Sequence, residues 1–245
     1  IEGETFANLN AIAQLNSGQI ESWINERDAD LDAIANNTHF IEDVAKLQTI
    51  DAAKSGQALR KYLDTIRNAY DYTSILLLDT KGMIVTESNS SGYTTVCITD
   101  KIKALLPSAT AGPEVRHSEL ILCDKGDPVM GFVIALFQKI DREQILLGYV
   151  VAFARLKQNA FPNIEGWPTA SRSGETLLLQ RDKDDVLYLS PLRHKAAPPL
   201  SLRIPLTQTQ LPAVRAVLDD KAGETAGLDY RNEAVLSAYR PIAGT

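Results

Sequence analysis

The chain has few of the residues that most often carry chemistry or cross-links: two cysteines, two tryptophans, two methionines and three histidines among 245 residues. Cys97 and Cys123 have no Cys-x-x-Cys spacing and few histidines to help them, which speaks against a zinc site. They either close one loop in an oxidising compartment or stay two separately buried thiols, and the spacing leaves both open. His39, His117 and His194 lie far apart with no i, i+4 pair. There is no Lys/Arg-rich run, and 25 Lys+Arg against 31 Asp+Glu give a net charge of −6, which excludes a large nucleic-acid footprint or an anionic-membrane patch. The longest apolar stretches, Val129 to Phe137 and Ile145 to Ala154, fall short of the roughly 18 residues that span a bilayer. The chain starts at Ile1 without a basic n-region or cleavage-type segment and is expected to be a piece of a longer protein.

Enzyme signatures are missing too. There is no Gly-x-Ser-x-Gly, His-Glu-x-x-His, Gly-x-x-x-x-Gly-Lys or Gly-x-Gly-x-x-Gly. Asp182-Lys-Asp-Asp185 lacks the glycine and closing glutamate of a calcium loop. The chain is therefore expected to perform no catalysis and to need no cofactor or metal.

What is present is a folded-protein composition, 44% hydrophobic and 23% charged, with a clear order of elements. From about Leu9 to Leu47 apolar residues recur at three- and four-residue steps, which predicts a long amphipathic helix, with a kink or restart at Ser17-Gly18 and at Asn36-Asn37-Thr38. A second helix is expected over 55–70 with Ser55 as N-cap. Ser74 to Asp79, a Thr80-Lys81-Gly82 turn and Met83 to Thr86 read as a hairpin, followed by a loop over 87–92. A short helix begins at Thr99 or Asp100 and ends at Pro107. Strands are expected over 115–123, 129–139 and 144–154. Strand, acidic turn and strand then recur at Gly174 to Gln180, Asp182 to Asp185 and Val186 to Leu189. A helix over 209–218 and strands over 222–229 and 233–239 follow, with one strand fewer than in the first unit.

The residues Tyr72-Thr73-Ser-Ile-Leu-Leu-Leu-Asp79 with Gly82, and Gly174-Glu-Thr-Leu-Leu-Leu-Gln-Arg181 with Val186-Leu-Tyr-Leu-Ser-Pro-Leu-Arg193, resemble the double Cache sensor domains of bacterial membrane receptors. The second block is similar to the membrane-proximal unit of sensor histidine kinases and diguanylate cyclases. The resemblance implies an α/β (α+β) fold, with a long N-terminal helix followed by two tandem PAS-like antiparallel-sheet units. It divides the chain into helices over 1–70, a membrane-distal ligand-binding unit over 71–156, a connector over 157–173 and a membrane-proximal unit over 174–245 that lacks its last strand. It also implies an extracytoplasmic module, tethered by transmembrane segments in the whole protein, with a small-molecule ligand in the distal unit. The long helix would relay the change and pair two copies.

Candidate ligand contacts follow from the strand that opens Arg116-His117-Ser-Glu119. Alternation puts Arg116 and Ser118 on one face and His117 and Glu119 on the other, so Arg116 or His117 faces the interior. A cation there suits a ligand carboxylate, with Tyr149 closing the pocket. Amino-acid-binding members of the family use an Arg and a Trp-Tyr pair after the first hairpin. Here residues 87–106 offer Tyr93 but no Arg and no Trp, which favours a small carboxylate or another small polar molecule. Two rival readings are a ligand-free structural or protein-interaction module, with Phe132, Phe137, Tyr149 and Phe153 filling the pocket, and a periplasmic hydrolase.

Overall fold

The computed structural model describes residues 2–47, 52–90, 97–123, 128–155, 167, 171 and 173–243. They form two compact units, one of residues 24–155 and one of residues 1–23 with 156–244. Among the described residues no helix is long and apolar enough to cross a membrane.

The first helix, α1 (Glu2–Ala35), runs unbroken through Ser17-Gly18, where a kink was expected. The Ser17 hydroxyl donates to the Gln14 carbonyl at 3.2 Å, so its polar group is satisfied inside the helix. The break comes at Asn36-Asn37. The Asn37 side chain caps α2 (Thr38–Lys46) by accepting from the Phe40 N–H at 3.0 Å, and Phe40, Ile41 and Val44 are buried. Helix α3 (Ala52–Tyr70) starts before Ser55, which is a buried helical residue and not the expected cap.

The 24–155 unit is built on a five-stranded antiparallel sheet of order β2-β1-β5-β4-β3: β1 (Ser74–Leu78), β2 (Ile84–Asn89), β3 (Arg116–Leu122), β4 (Pro128–Ile140) and β5 (Glu143–Arg155). Strand β2 extends through Asn89, into the stretch that reads as loop from sequence. The β1–β2 turn is held by the Asp79 carboxylate, which accepts from the N–H groups of Lys81 and Met83, both at 2.8 Å. Gly82 adopts φ +79° there, a value side-chain-bearing residues rarely take. Helix α4 (Asp100–Ala109) keeps Pro107 inside its last turn instead of ending at it.

Strand alternation gives the sheet two faces. On one, Ile75, Leu77, Phe132, Ile134, Leu136, Val150 and Ala152 are buried. Ser88 of this face receives a 2.8 Å hydrogen bond from Arg67 of α3 and donates to Asp64. Tyr72, 1% exposed just before β1, donates to Asp30 of α1 at 2.9 Å. On the other face Leu76, Leu78, Val133, Ala135, Tyr149, Val151 and Phe153 pack with Ile102, Leu106 and Ala109 of α4. We call these the helix side and the α4 side.

The unit of 1–23 and 156–244 has two smaller antiparallel sheets among its described residues. One has the order β6-β7-β8, formed by β6 (Leu179–Asp182), β7 (Asp185–Tyr188) and β8 (Arg203–Pro205). The other pairs β9 (Gly223–Leu228) with β10 (Ala234–Tyr239). Helix α5 (Pro212–Leu218) starts later than the expected 209, with Pro212 at its first position. Val186, Tyr188, Leu211, Ala213 and Val214 form the core. The β8 strand has no counterpart among the sequence expectations.

Candidate functional site

The α4 side of the 24–155 sheet is where chemistry-bearing residues and an apolar floor meet. The pairings Arg116↔Val133, Val133↔Val151, Val151↔Leu76 and Leu76↔Glu87 line up one row across all five strands. Glu87 stands at the β2 edge, Arg116 at the β3 edge, and three aliphatic side chains lie between them. Helix α4 packs over β3 and β4, the Arg116 half of this row.

The chain entering α4 is pinned to the end of β3 by a disulfide between Cys97 and Cys123, whose Cα atoms are 5.7 Å apart. That separation is ordinary for a bridged pair. Of the two readings open from sequence, the loop-closing one holds, and both cysteines border the α4-side core.

Arg116 lies on the α4 side, but its guanidinium is occupied. Nη1 meets Glu114 Oε2 at 2.9 Å and Nε donates to the Ser108 carbonyl at 3.2 Å, in the last turn of α4. A cation there adds to the Ala111 N–H that the Ser108 carbonyl already accepts at 3.2 Å, and suits the negative end of the helix. His117 is on the opposite face. Its Nε2 is 2.7 Å from Asp28 Oδ1 of α1, and its ring meets Phe132 edge-on with centroids 5.4 Å apart.

Alternation holds for Ser118, which shares the α4 side with Arg116, and fails at Glu119. The register runs His117↔Phe132 and then Leu120↔Met130, so Ser118 and Glu119 together oppose Gly131 in a β-bulge. Gly131 N–H donates to Ser118 Oγ at 2.8 Å, and Glu119 pairs with Lys101 of α4 instead of joining His117.

Tyr149 is on the α4 side, 5% exposed, and burial pushes its phenol pKa up. A second bulge beside it, between Leu136 and Phe137, brings Leu146 to this side opposite Phe137. Phe153 is also here, whereas Phe132 belongs to the helix side, so the aromatics of the filled-pocket reading are split between the faces. Tyr93 lies outside the described residues.

Sequence reasoning missed Glu87. Its Oε2 is buried with no hydrogen-bond partner. The run Ile84-Val-Thr-Glu-Ser-Asn89 continues the hairpin strand, and pairing Leu76 with Glu87 would have shown the residue facing the floor.

No protein-family model and no curated protein matches the chain. Solved structures do. The sensory domain of the Campylobacter jejuni chemoreceptor Tlp3 (CcmL) matches with a TM-score of 0.66 at 13% identity, over 99% of this chain and 91% of that one. The sensor domain of the V. cholerae histidine kinase DctB gives 0.57 at 15% identity, over 97% and 92%. The Tlp3 ligand-binding domain in complex with 4-methylisoleucine gives 0.51 at 13% identity, over 68% of this chain and 64% of that one, so the chain spans just under two thirds of that structure. The likeness is one of fold, and the long N-terminal helix followed by antiparallel sheets that the resemblance implies is the fold of this chain.

Proposed function

We propose that the chain is the extracytoplasmic ligand-sensing module of a transmembrane signalling receptor of the sensor histidine kinase type. A small polar molecule would bind on the α4 side of the membrane-distal unit, and α1 would relay the change. The observation that carries this reading is the fold likeness over nearly the whole chain to sensory domains of receptors with different outputs, a chemoreceptor and a kinase. Two features support it. A disulfide suits an oxidising compartment outside the cytoplasm. Helix α1 is continuous and contributes residues to both units, so a change of a few kcal/mol at the site has a covalent path along which to act.

In this reading residues 71–156 are the distal unit, 174–245 the proximal one, and membrane segments flank both in the whole protein. Two copies would pair through α1, where Leu15 is 53% exposed. Sedimentation at rising concentration tests the pairing, and a monomer throughout would contradict it.

The sensor reading is tested by a thermal-shift screen against amines, amino acids, small carboxylates and sugars. A ligand that binds only the folded state stabilises by about 2.7 kcal/mol at 100 times its dissociation constant. We expect at least one class to raise Tm, and Leu76→Trp, which fills the floor, to abolish the shift. A flat response to the whole panel would favour a ligand-free interaction module.

A further inference from the structure

Glu87 is the least satisfied group on the α4 side. Burying a carboxylate oxygen without a donor is costly, and the fold gains nothing visible from it: Oε2 accepts no hydrogen bond and is closed off from solvent. Register fixes its surroundings. Leu76 is its direct neighbour, Val151 stands beyond Leu76, and Tyr149 projects from the next pair along, beside Leu78. Strand geometry separates the Glu87 and Tyr149 Cα atoms by about 12 Å.

Three cations of this side are engaged elsewhere. Arg116 is held by Glu114 and the Ser108 carbonyl, Lys101 by Glu119, and Arg155, further along β5, already has its own interaction. A ligand carboxylate placed over this floor would meet the Glu87 charge before it met an unoccupied cation. A ligand cation would meet an acceptor without a partner, and a neutral phenol ring whose face attracts positive charge.

We propose that the ligand of this face is a small organic cation, an amine or quaternary ammonium with an apolar body, its charge set against Glu87 and its body on Leu76, Val151 and the Tyr149 ring. This rests on the reading of the α4 side as the sensory site, and it replaces the carboxylate expected from Arg116 with the opposite charge.

The test uses the whole 245-residue chain, wild type and Glu87→Gln, in calorimetric titrations. The probes are mono- and diamines, quaternary ammonium compounds and amino acids, each with the carboxylate and alcohol of the same skeleton. The expected result is binding of at least one cation, weakened tenfold or more in E87Q, with its carboxylate and alcohol counterparts inert. Without ligand, E87Q should melt at or above the wild-type temperature, because it removes a buried unpartnered charge. A strongly lowered melting temperature would make Glu87 a structural residue and overturn the proposal. Binding of carboxylates or alcohols that E87Q leaves intact but Leu76→Trp abolishes would overturn the cation and keep the site. No binding by any probe would overturn both.

Discussion

Arg116 and His117 are adjacent in sequence and serve opposite faces of one sheet, so their substitutions should have different consequences. Arg116→Ala breaks a pair whose Glu114 partner is 72% exposed, and the expected loss is under about 1 kcal/mol by urea unfolding. His117→Ala leaves Asp28 without the partner that reaches it across the helix side, and the expected loss is larger, about 1–2 kcal/mol. Because His117 is turned away from the α4 side, ligand affinity should stay within about twofold of wild type. A tenfold loss of affinity in His117→Ala would relocate the site. Sequence alternation separated these two neighbours correctly but went wrong at Glu119. The Ser118–Glu119 bulge opposite Gly131 inserts a residue, and no pattern within β3 announces it. Glu87 was hidden for a related reason. A polar, serine-containing run reads as loop unless its pairing with β1 is known.

At the scale of elements, hydrophobic periodicity made α1, the first hairpin and the β3–β5 meander legible, because each buries a long apolar face. The short elements of the other unit, with few buried residues each, were less so. Strand β8 has three residues and no alternation to read. Pro107 shows how local rules yield: in the last turn of α4, the expected stop is accommodated inside the helix.

Gly148 is a stronger constraint. A Cβ there would lie 2.1 Å from the Leu78 carbonyl oxygen, and φ is +153°. Gly148→Ala should cost more than about 3 kcal/mol, since backbone of the interior strand β1 would have to move. A loss under 1 kcal/mol in denaturant titration would contradict the β1–β5 packing.

Asp229 repeats in the β9–β10 turn what Asp79 does in β1–β2. It accepts from the N–H groups two and four residues on, at 2.7 and 3.1 Å, with Asn232 at φ +67° in the place of Gly82. Burial alone would raise its pKa. The Arg231 guanidinium and the N–H groups of Glu233 and Arg231 outweigh it and hold the carboxyl below its ordinary value. A folded pKa below the unfolded one, about 3.9, gives stability that is present at neutral pH and lost as pH falls through the folded value. The stability gap between wild type and Asp229→Asn should therefore shrink from pH 6 to pH 3, and a constant gap would contradict this.

For the whole molecule, the fold links a candidate site to a helix that runs on into the second unit. The disulfide anchors the frame of that site. It closes a loop between positions 26 apart, for which chain entropy gives about 3–4 kcal/mol. Cys97→Ser should lose stability of that order in urea, and reductant should have the same effect on the wild type. If neither lowers stability, the bridge is not formed in solution.

We propose above that the α4 side of the 24–155 unit takes a ligand. Hydrogen exchange of the whole chain, with and without the tightest-binding compound of the panel, tests it most directly. Slower exchange is expected in β2, β5 and α4, the elements around Glu87, Tyr149 and the apolar floor. Protection confined to residues 1–23 and 156–244, or absent from β2, β5 and α4, would contradict it.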